Sequence, residues 1–289
     1  MYPGKFDYHK PDSVDEAVAL LGRFGEDAKI LAGGHSLVPM MKLRLAEPAN
    51  LIDVNGINDL KGIRQADGGI RIGATTTQAE VLASTLLSES CALIPEASAL
   101  IADPQVRYCA TVGGNVANGD PGNDLPAIMM ALGATYVLRG PKGERSVAAR
   151  DFYKGVYWTD LGEDELLTEV RVPALTANQG SAYEKMKRKV GDYAIAAAAA
   201  VLTMSGATCE SAAIALTNVG ETPLFAVDAG ASLAGKSVDE SAIAEAARLA
   251  MAISTPVADL RGTVEFRTAM TGEMTRRAIR KAAARAQGG

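Results

Sequence analysis

Apolar positions along the chain repeat first at helical and then at strand spacing. In "VDEAVALLGRFG", Val14, Ala17, Val18 and Leu21 fall on one helical face, Ser13 and Glu16 match a capping box, and Gly25 closes the segment. "KILA" (29–32) reads as a short strand, and Gly33 and Gly34 then turn the chain. "SLVPMMKLRLA" carries a helix interrupted by Pro39, and "NLIDV" (50–54) forms a second strand. Together these make a small α/β unit, residues 1–56.

Over 57–177 the pattern shifts to short strands joined by long irregular connections: "GIRIGA" (69–74), a helix beginning near Thr77, the loop "IADPQVRYCATVGGNVANGDPGNDLP", then "ATYVLRGPKGERSV" and "ELLTEVRVP". This is a second unit. After the linker "PALTANQGS", "AYEKMKRK", "YAIAAAAAVLTMS" and "CESAAIALTNVG" read as three strands, followed by helices over 223–234, 240–253 and 263–287. Strands followed by helices predict an α+β unit, residues 178–289. Alanines 196–200 fit a helix by propensity, but their β-branched surroundings and their place between two strands favour a tightly packed strand.

Composition narrows the function. The chain has 289 residues, 48% of them apolar, enough for a substantial core. A net charge of −5 gives no basic footprint for nucleic acid. Basic residues gather at Lys185, Lys187, Arg188 and Lys189, and again at Arg276, Arg277, Arg280, Lys281 and Arg285. Both groups read as solvated faces, the second also complementing the end of a last helix. Cys91, Cys109 and Cys209 are scattered, and the two histidines, His9 and His35, are too few for a self-contained zinc or iron site, so no metal is expected. The N-terminal segment lacks the pattern of a secretory signal, and no apolar run reaches the roughly 18 residues of a membrane span, so a cytoplasmic location is expected.

Two glycine-centred turns carry the candidate chemistry: "LAGGHS" (31–36) and "ATVGGNVANGD" (110–120). A strand that ends in Gly-Gly and opens toward a helix can aim several N–H groups at a phosphate. One such turn says little. Two of them, one followed by His35 and Ser36 and the other by Asn115 and Asn118, could grip a pyrophosphate from both sides. "GDPGND" (119–124) adds Asp120 and Asp124, either as acceptors for ribose or ribityl hydroxyls or as an ordinary turn before a helix. No G-x-G-x-x-G follows a strand, which excludes the Rossmann mode. "GASLAGKS" (230–237) satisfies the phosphate-loop pattern formally, but it sits in a helical context, with Gly235 as a helix cap.

In "FDYHKPDSVDEAVALL", "AGGHSLVPMMKLRLAEP", "LIADPQVRYCATVGGNVANGDPGNDLPA", "AYEKMKRKVGDYA" and "ALTNVGETPL" the chain resembles, over nearly its whole length, the FAD-binding medium subunits of the molybdenum hydroxylase (xanthine dehydrogenase) family, especially the branch whose complexes oxidise carbon monoxide. The resemblance implies an α+β fold: a two-subdomain FAD-binding domain of the vanillyl-alcohol-oxidase type with the flavin between the subdomains, then a C-terminal domain of a three-stranded antiparallel sheet and a helix bundle. It places Ala32, Gly33, Gly34, His35 and Ser36, with Thr111, Val112, Gly113, Gly114 and Asn115, around the pyrophosphate. The backbone near Ile101 and the Asp124 carboxylate also contact the cofactor, and Lys185 and Tyr193 approach the isoalloxazine. Lys185 either stabilises reduced flavin by charge or is solvated, and Tyr193 either stacks on the flavin or is a core aromatic. His35 is expected as a polar or packing contact to a non-covalent flavin.

The same resemblance implies an oxidoreductase subunit that carries no catalytic residue of its own. A large partner would hold molybdopterin, with copper in the carbon monoxide branch, and a small partner two [2Fe–2S] clusters. The assembly would be a dimer of heterotrimers, cytoplasmic or resting on the inner face of the membrane, which passes electrons to a quinone or another acceptor. Relatives acting on nicotine, aldehydes and N-heterocycles have similar flavin subunits. Relatives that reduce aromatic acyl-CoA thioesters carry an extra four-cysteine cluster loop, which the scattered cysteines here cannot supply. The rival readings are a stand-alone flavin oxidoreductase of the same fold and a non-redox nucleotide-binding protein using "GASLAGKS".

Overall fold

Three open sheets follow one another along the chain in the computed structural model, which describes residues 2–288. The outermost bounds of the expected first and third units, Met1 and Gly289, lie outside the described residues.

The first sheet is parallel, with β3 (Asn50–Asp53) between β1 (Asp7–His9) and β2 (Ala28–Leu31). Helix α1 (Val14–Phe24) buries Ala17, Val18 and Leu21, as its spacing predicts, and the Ser13 hydroxyl accepts from Glu16 N–H. The return arm of the expected capping box is displaced by one residue, because the Glu16 carboxylate accepts from Asp12 N–H instead. Strand β1 has no counterpart in the sequence reading; three residues are too few to show a period of two. Helix α2 (Leu37–Lys42) follows the first glycine pair and ends sooner than expected.

The second sheet is antiparallel, in the order β4 (Ile63–Ala66), β5 (Gly69–Gly73), β10 (Leu166–Pro173), β6 (Thr135–Gly140), β7 (Gly143–Ala148). The helix expected near Thr77 is there, fully boxed by Thr77 and Glu80, but the chain breaks into three pieces: α3 (Gln78–Ala83), α4 (Thr85–Ser90) and α5 (Leu93–Leu100). The segment read as one long loop contains α6 (Pro104–Arg107), α7 (Val112–Ala117) and the start of α8 (Asp124–Leu132). All nine residues of α8 are buried, so it shows no amphipathic stripe to read from sequence. A short turn, α9 (Ala149–Phe152), and the two-stranded ribbon β8 (Tyr153–Gly155) and β9 (Trp158–Thr159) complete this part.

The third sheet is antiparallel: β11 (Gln179–Met186), β12 (Ala196–Ser205), β13 (Thr208–Thr217) and a two-residue β14 (Leu224–Phe225). The expected three strands therefore gain a short fourth. The expected helix over 223–234 shrinks to α10 (Val227–Ala231); α11 (Glu240–Ile253) and α12 (Val264–Ala286) lie where predicted. The alanine run is strand. Ala197 and Ala199 face a core shared with the second sheet and α8, while Ala196, Ala198 and Ala200 face a core formed with α10, α11 and α12. Successive side chains of a strand point to opposite faces, so a strand covered on both faces must be apolar throughout, and alanine lets both layers approach closely.

The third sheet is tied to the second part by ions as well. Lys281 and Arg285 on α12 reach the Glu96 carboxylate on α5 at 2.8 and 2.5 Å, and Lys281 also meets Glu184. Both were expected to be merely solvated.

Candidate functional site

The first glycine pair lies between β2 and α2, the strand–turn–helix order its sequence predicts. Gly34 takes φ +71°, and a Cβ on Gly33 would lie 2.3 Å from the Cys109 carbonyl oxygen and 2.8 Å from the Ala110 Cα. Only a glycine lets this turn press against the segment that leads into Thr111, so the structure brings the two predicted loops together. Among the described residues, the backbone N–H groups of Gly33, Gly34, His35 and Ser36 donate to no protein acceptor. Four unpaired amides on one tight turn can serve an anionic ligand.

The back of this turn is fixed by residues the sequence reading passed over. Asn55 donates to the Ala32 carbonyl at 2.9 Å and to Asp53, whose other carboxylate oxygen accepts from Tyr8 at 2.5 Å. Their one sequence signal was the Asn55-Gly56 turn after a strand. His35 is exposed and folds back, its Nδ1 2.7 Å from the Gly33 carbonyl. A carbonyl only accepts, so Nδ1 carries the proton. Ser36 precedes α2 without a side-chain capping bond.

The second glycine pair differs in kind from the turn expected. Gly113 and Gly114 lie inside the first turn of α7, and its leading amides are already satisfied. Val112 and Gly113 donate to the Thr76 and Ala74 carbonyls at 2.8 Å, Gly114 to the Thr111 hydroxyl at 3.0 Å, and Asn115 to the Thr111 carbonyl. A Cβ on Gly113 would lie 2.6 Å from that of Ala74, so this glycine serves close packing. What this side can offer a ligand is side-chain chemistry. The Thr111 hydroxyl donates to nothing among the described residues, and the buried Asn115 Oδ1 has no partner. A buried, unpaired amide oxygen is costly, and a hydrogen-bond donor supplied by a ligand would relieve it.

Asp124 and Lys185, read separately from sequence, meet as a pair. Strand β11 alternates, so Tyr183 and Lys185, with Lys187 just past its end, emerge on the side of α5 and α8. Lys185 Nζ lies 2.7 Å from Asp124 Oδ2, Tyr183 donates to Oδ1 at 2.5 Å, and the Lys185 side chain is only 2% exposed. Lys185 is therefore not solvated. Burial pushes the Asp124 carboxyl up, against the pull of Lys185 and the Tyr183 hydroxyl. Lys185 and Lys187 also donate to the Leu100 carbonyl, at 3.3 and 3.2 Å, and Arg107 donates to that of Ile101 at 2.8 Å. These cations hold the turn after α5, where Ala102 adopts φ +43°, a left-handed conformation that costs a non-glycine residue about 1–2 kcal/mol. Ile101 is 8% exposed. Lys187 and Arg107 were not among the residues singled out for the cofactor.

Tyr193 is 44% exposed, so it is not a core aromatic. Its ring lies beside Gly122, where an added Cβ would come within 2.9 Å, and its hydroxyl is pushed up to about 12 by partial burial and the nearby Asp120 carboxylate. Asp120 forms an ordinary turn: its carboxylate accepts from Gly122 N–H at 2.9 Å and from the Tyr157 hydroxyl at 3.1 Å. "GASLAGKS" is no phosphate loop. Gly235 N–H donates to the Cys209 carbonyl and Cys209 N–H to the Lys236 carbonyl, each at 2.8 Å, which stitches the segment to the start of β13.

Comparison with known proteins gives the family. Residues 4–175 match the family described as the FAD binding domain in molybdopterin dehydrogenase, and residues 181–282 match the CO dehydrogenase flavoprotein C-terminal domain. The chain is 55% identical to the carbon monoxide dehydrogenase medium chain of Afipia carboxidovorans over 99% of its own length and all of that relative, and 50% identical to its counterpart in Hydrogenophaga pseudoflava over 99% of each. It superimposes on a chain of the crystal structure of a Cu,Mo-CO dehydrogenase in its cyanide-inactivated form with a TM-score of 0.97, at 55% identity, covering 99% of this chain and 100% of that one. With both family matches, full-length likeness and a shared backbone in agreement, the chain belongs to the FAD-binding medium subunits of the molybdenum hydroxylase family, and it is an oxidoreductase subunit of the carbon monoxide dehydrogenase type.

Proposed function

We propose that this chain binds one FAD without a covalent bond and serves as the electron-exit subunit of a carbon monoxide dehydrogenase. The observations that carry the reading are the seating of Gly33 on Cys109–Ala110, directly before Thr111, the four unpaired amides of that turn, and the unpartnered Asn115 Oδ1. Ala32 to Ser36 hold the diphosphate through backbone N–H groups, while Thr111 to Asn115 close the other side with the Thr111 hydroxyl and the Asn115 amide. Ile101 presents backbone to the flavin, Arg107 holds its carbonyl, Lys185, itself anchored by Asp124, holds the neighbouring Leu100 carbonyl, and Tyr193 covers the ring. Bound here, FAD would supply the redox chemistry that links single-electron transfer from two [2Fe–2S] clusters of a small partner to two-electron reduction of a quinone or another acceptor. A large partner with molybdopterin and copper oxidises the substrate. Three units divide the chain, 1–56, 57–177 and 178–289, within a cytoplasmic dimer of heterotrimers able to rest on the inner face of the membrane; among the described residues no helix is long and apolar enough to cross one.

The test is to isolate the complex with its native partners and precipitate it with acid. A flavin that appears in the supernatant in a one-to-one ratio with this chain supports the reading. A flavin that stays with the pellet refutes non-covalent binding, and a colourless complex refutes the function.

A further inference from the structure

Tyr193 stands in a nine-residue connection between β11 and β12, closed at its base by the Ile195 N–H to Met186 carbonyl bond of 2.7 Å. The residues before and after it are both buried: Asp192 is 8% exposed and Ala194 0%. Asp192 accepts from Arg261 Nε at 2.9 Å and from Arg188 Nε at 3.1 Å. Arg261 continues to Asp259 at 3.2 Å, and Asp259 to Arg267 at 2.6 Å. Arg267, only 3% exposed, donates to the Ile195 carbonyl at 3.1 Å, and Asn218 donates to that of Ala194 at 2.5 Å. Besides Arg188 and the Met186 carbonyl, the anchors around Tyr193 thus come from the irregular segment 254–263, the start of α12 and Asn218 just after β13. Asn218, Asp259, Arg261 and Arg267 also line a cavity of about 390 Å³ that opens beside the Tyr193 ring, with Pro121 and Val257 on its walls.

We propose that Asp192 and Arg261 form a positioning pair that holds Tyr193 over the flavin, so that segment 254–263, remote in sequence from both glycine loops, is part of the cofactor site. The pair rests on the reading of Tyr193 given above and does not itself touch the cofactor. An ion pair whose carboxylate is withdrawn from solvent fixes geometry more than it adds stability, because desolvation offsets most of its attraction. A stacked ring also requires a defined distance and tilt. A chain of four charges between two connections fits that requirement.

The test uses the assembled complex with Arg261→Ala, Tyr193→Ala and the double variant, read by the FAD dissociation constant from flavin fluorescence and by thermal midpoint. Arg261→Ala is expected to weaken FAD roughly fivefold, on the scale of one lost aromatic contact, and to have no further effect once Tyr193 is alanine. Asp192→Asn carries the same comparison should Arg261→Ala fail to assemble. Additive losses in the double variant, or a lowered midpoint with unchanged FAD affinity, overturn the proposal. A wild-type complex without FAD refutes the proposed function instead, and is seen before any variant is made.

Discussion

Replacing Gly33 by alanine isolates the contact on which the site depends. Gly33 does not need a left-handed backbone, so the whole effect is steric. The new methyl would lie 2.3 Å from the Cys109 oxygen and 2.8 Å from the Ala110 Cα, about 1 Å inside ordinary contact. Both neighbours are backbone and cannot swing away, so the two loops must separate. Overpacking of this kind costs about 1–3 kcal/mol, and because the opening falls between the two halves of the cradle, much of that cost reaches the ligand. At about 1.4 kcal/mol per factor of ten, FAD binding should weaken by roughly tenfold to a hundredfold. Equilibrium dialysis of the complex against FAD, with flavin absorbance per chain, measures it. Gly22→Ala on α1, where an added methyl meets nothing within 4 Å, is the control and should raise stability by about 1 kcal/mol. A Gly33→Ala complex with native FAD affinity would refute the seating of one loop on the other as the basis of the site.

Other expectations follow from the packing. Lys185→Met leaves the buried Asp124 carboxylate without its cation and should cost about 3–5 kcal/mol, read by denaturant titration at neutral pH; adding Asp124→Asn should recover much of it, and no recovery would argue against the pair. Ala199→Val inserts two methyl groups between sheet and α8 and should lower stability by about 1–3 kcal/mol, visible in the thermal midpoint. Asp259 is held down to about 2, chiefly by Arg267 and Arg261 acting against its burial, while Arg261 and Arg188 lower Asp192. A depressed carboxylate stabilises the fold above its unfolded value near 4 and loses that contribution as pH falls toward 2. Asp259→Asn should flatten the acid limb of the stability profile over that window, and an unchanged limb would show the network contributes nothing there.

Much of the fold is legible where period and covering agree. Helix α1 has one buried stripe, and α11 and α12 show the long helical pattern over buried alanines that predicted them. Legibility fails where burial is all-round or segments are short: α8 is buried on every side, β1 has three residues, and α7 is six residues whose first turn holds the glycines taken for a loop. At the site, the first glycine turn could be read because strand, Gly-Gly and helix are contiguous. The partner of Lys185 could not, since Asp124 lies sixty-one positions away and only the alternation of β11 against α8 joins them. The same holds for Arg261 beside Asp192, a contact made by topology with no local signature, and for Asn55 behind Ala32, where the Asn55-Gly56 turn signals a bend but not its partner.

The doubly covered alanine strand bears on how the molecule comes apart. Because β12 gives one face to the second sheet and the other to the terminal helices, cutting the chain near residue 178 would strip a water-excluded surface from both fragments. Neither piece could keep its shape alone, and heating should melt them in a single transition, with loss of the C-terminal helices and loss of the flavin pocket registering at the same temperature.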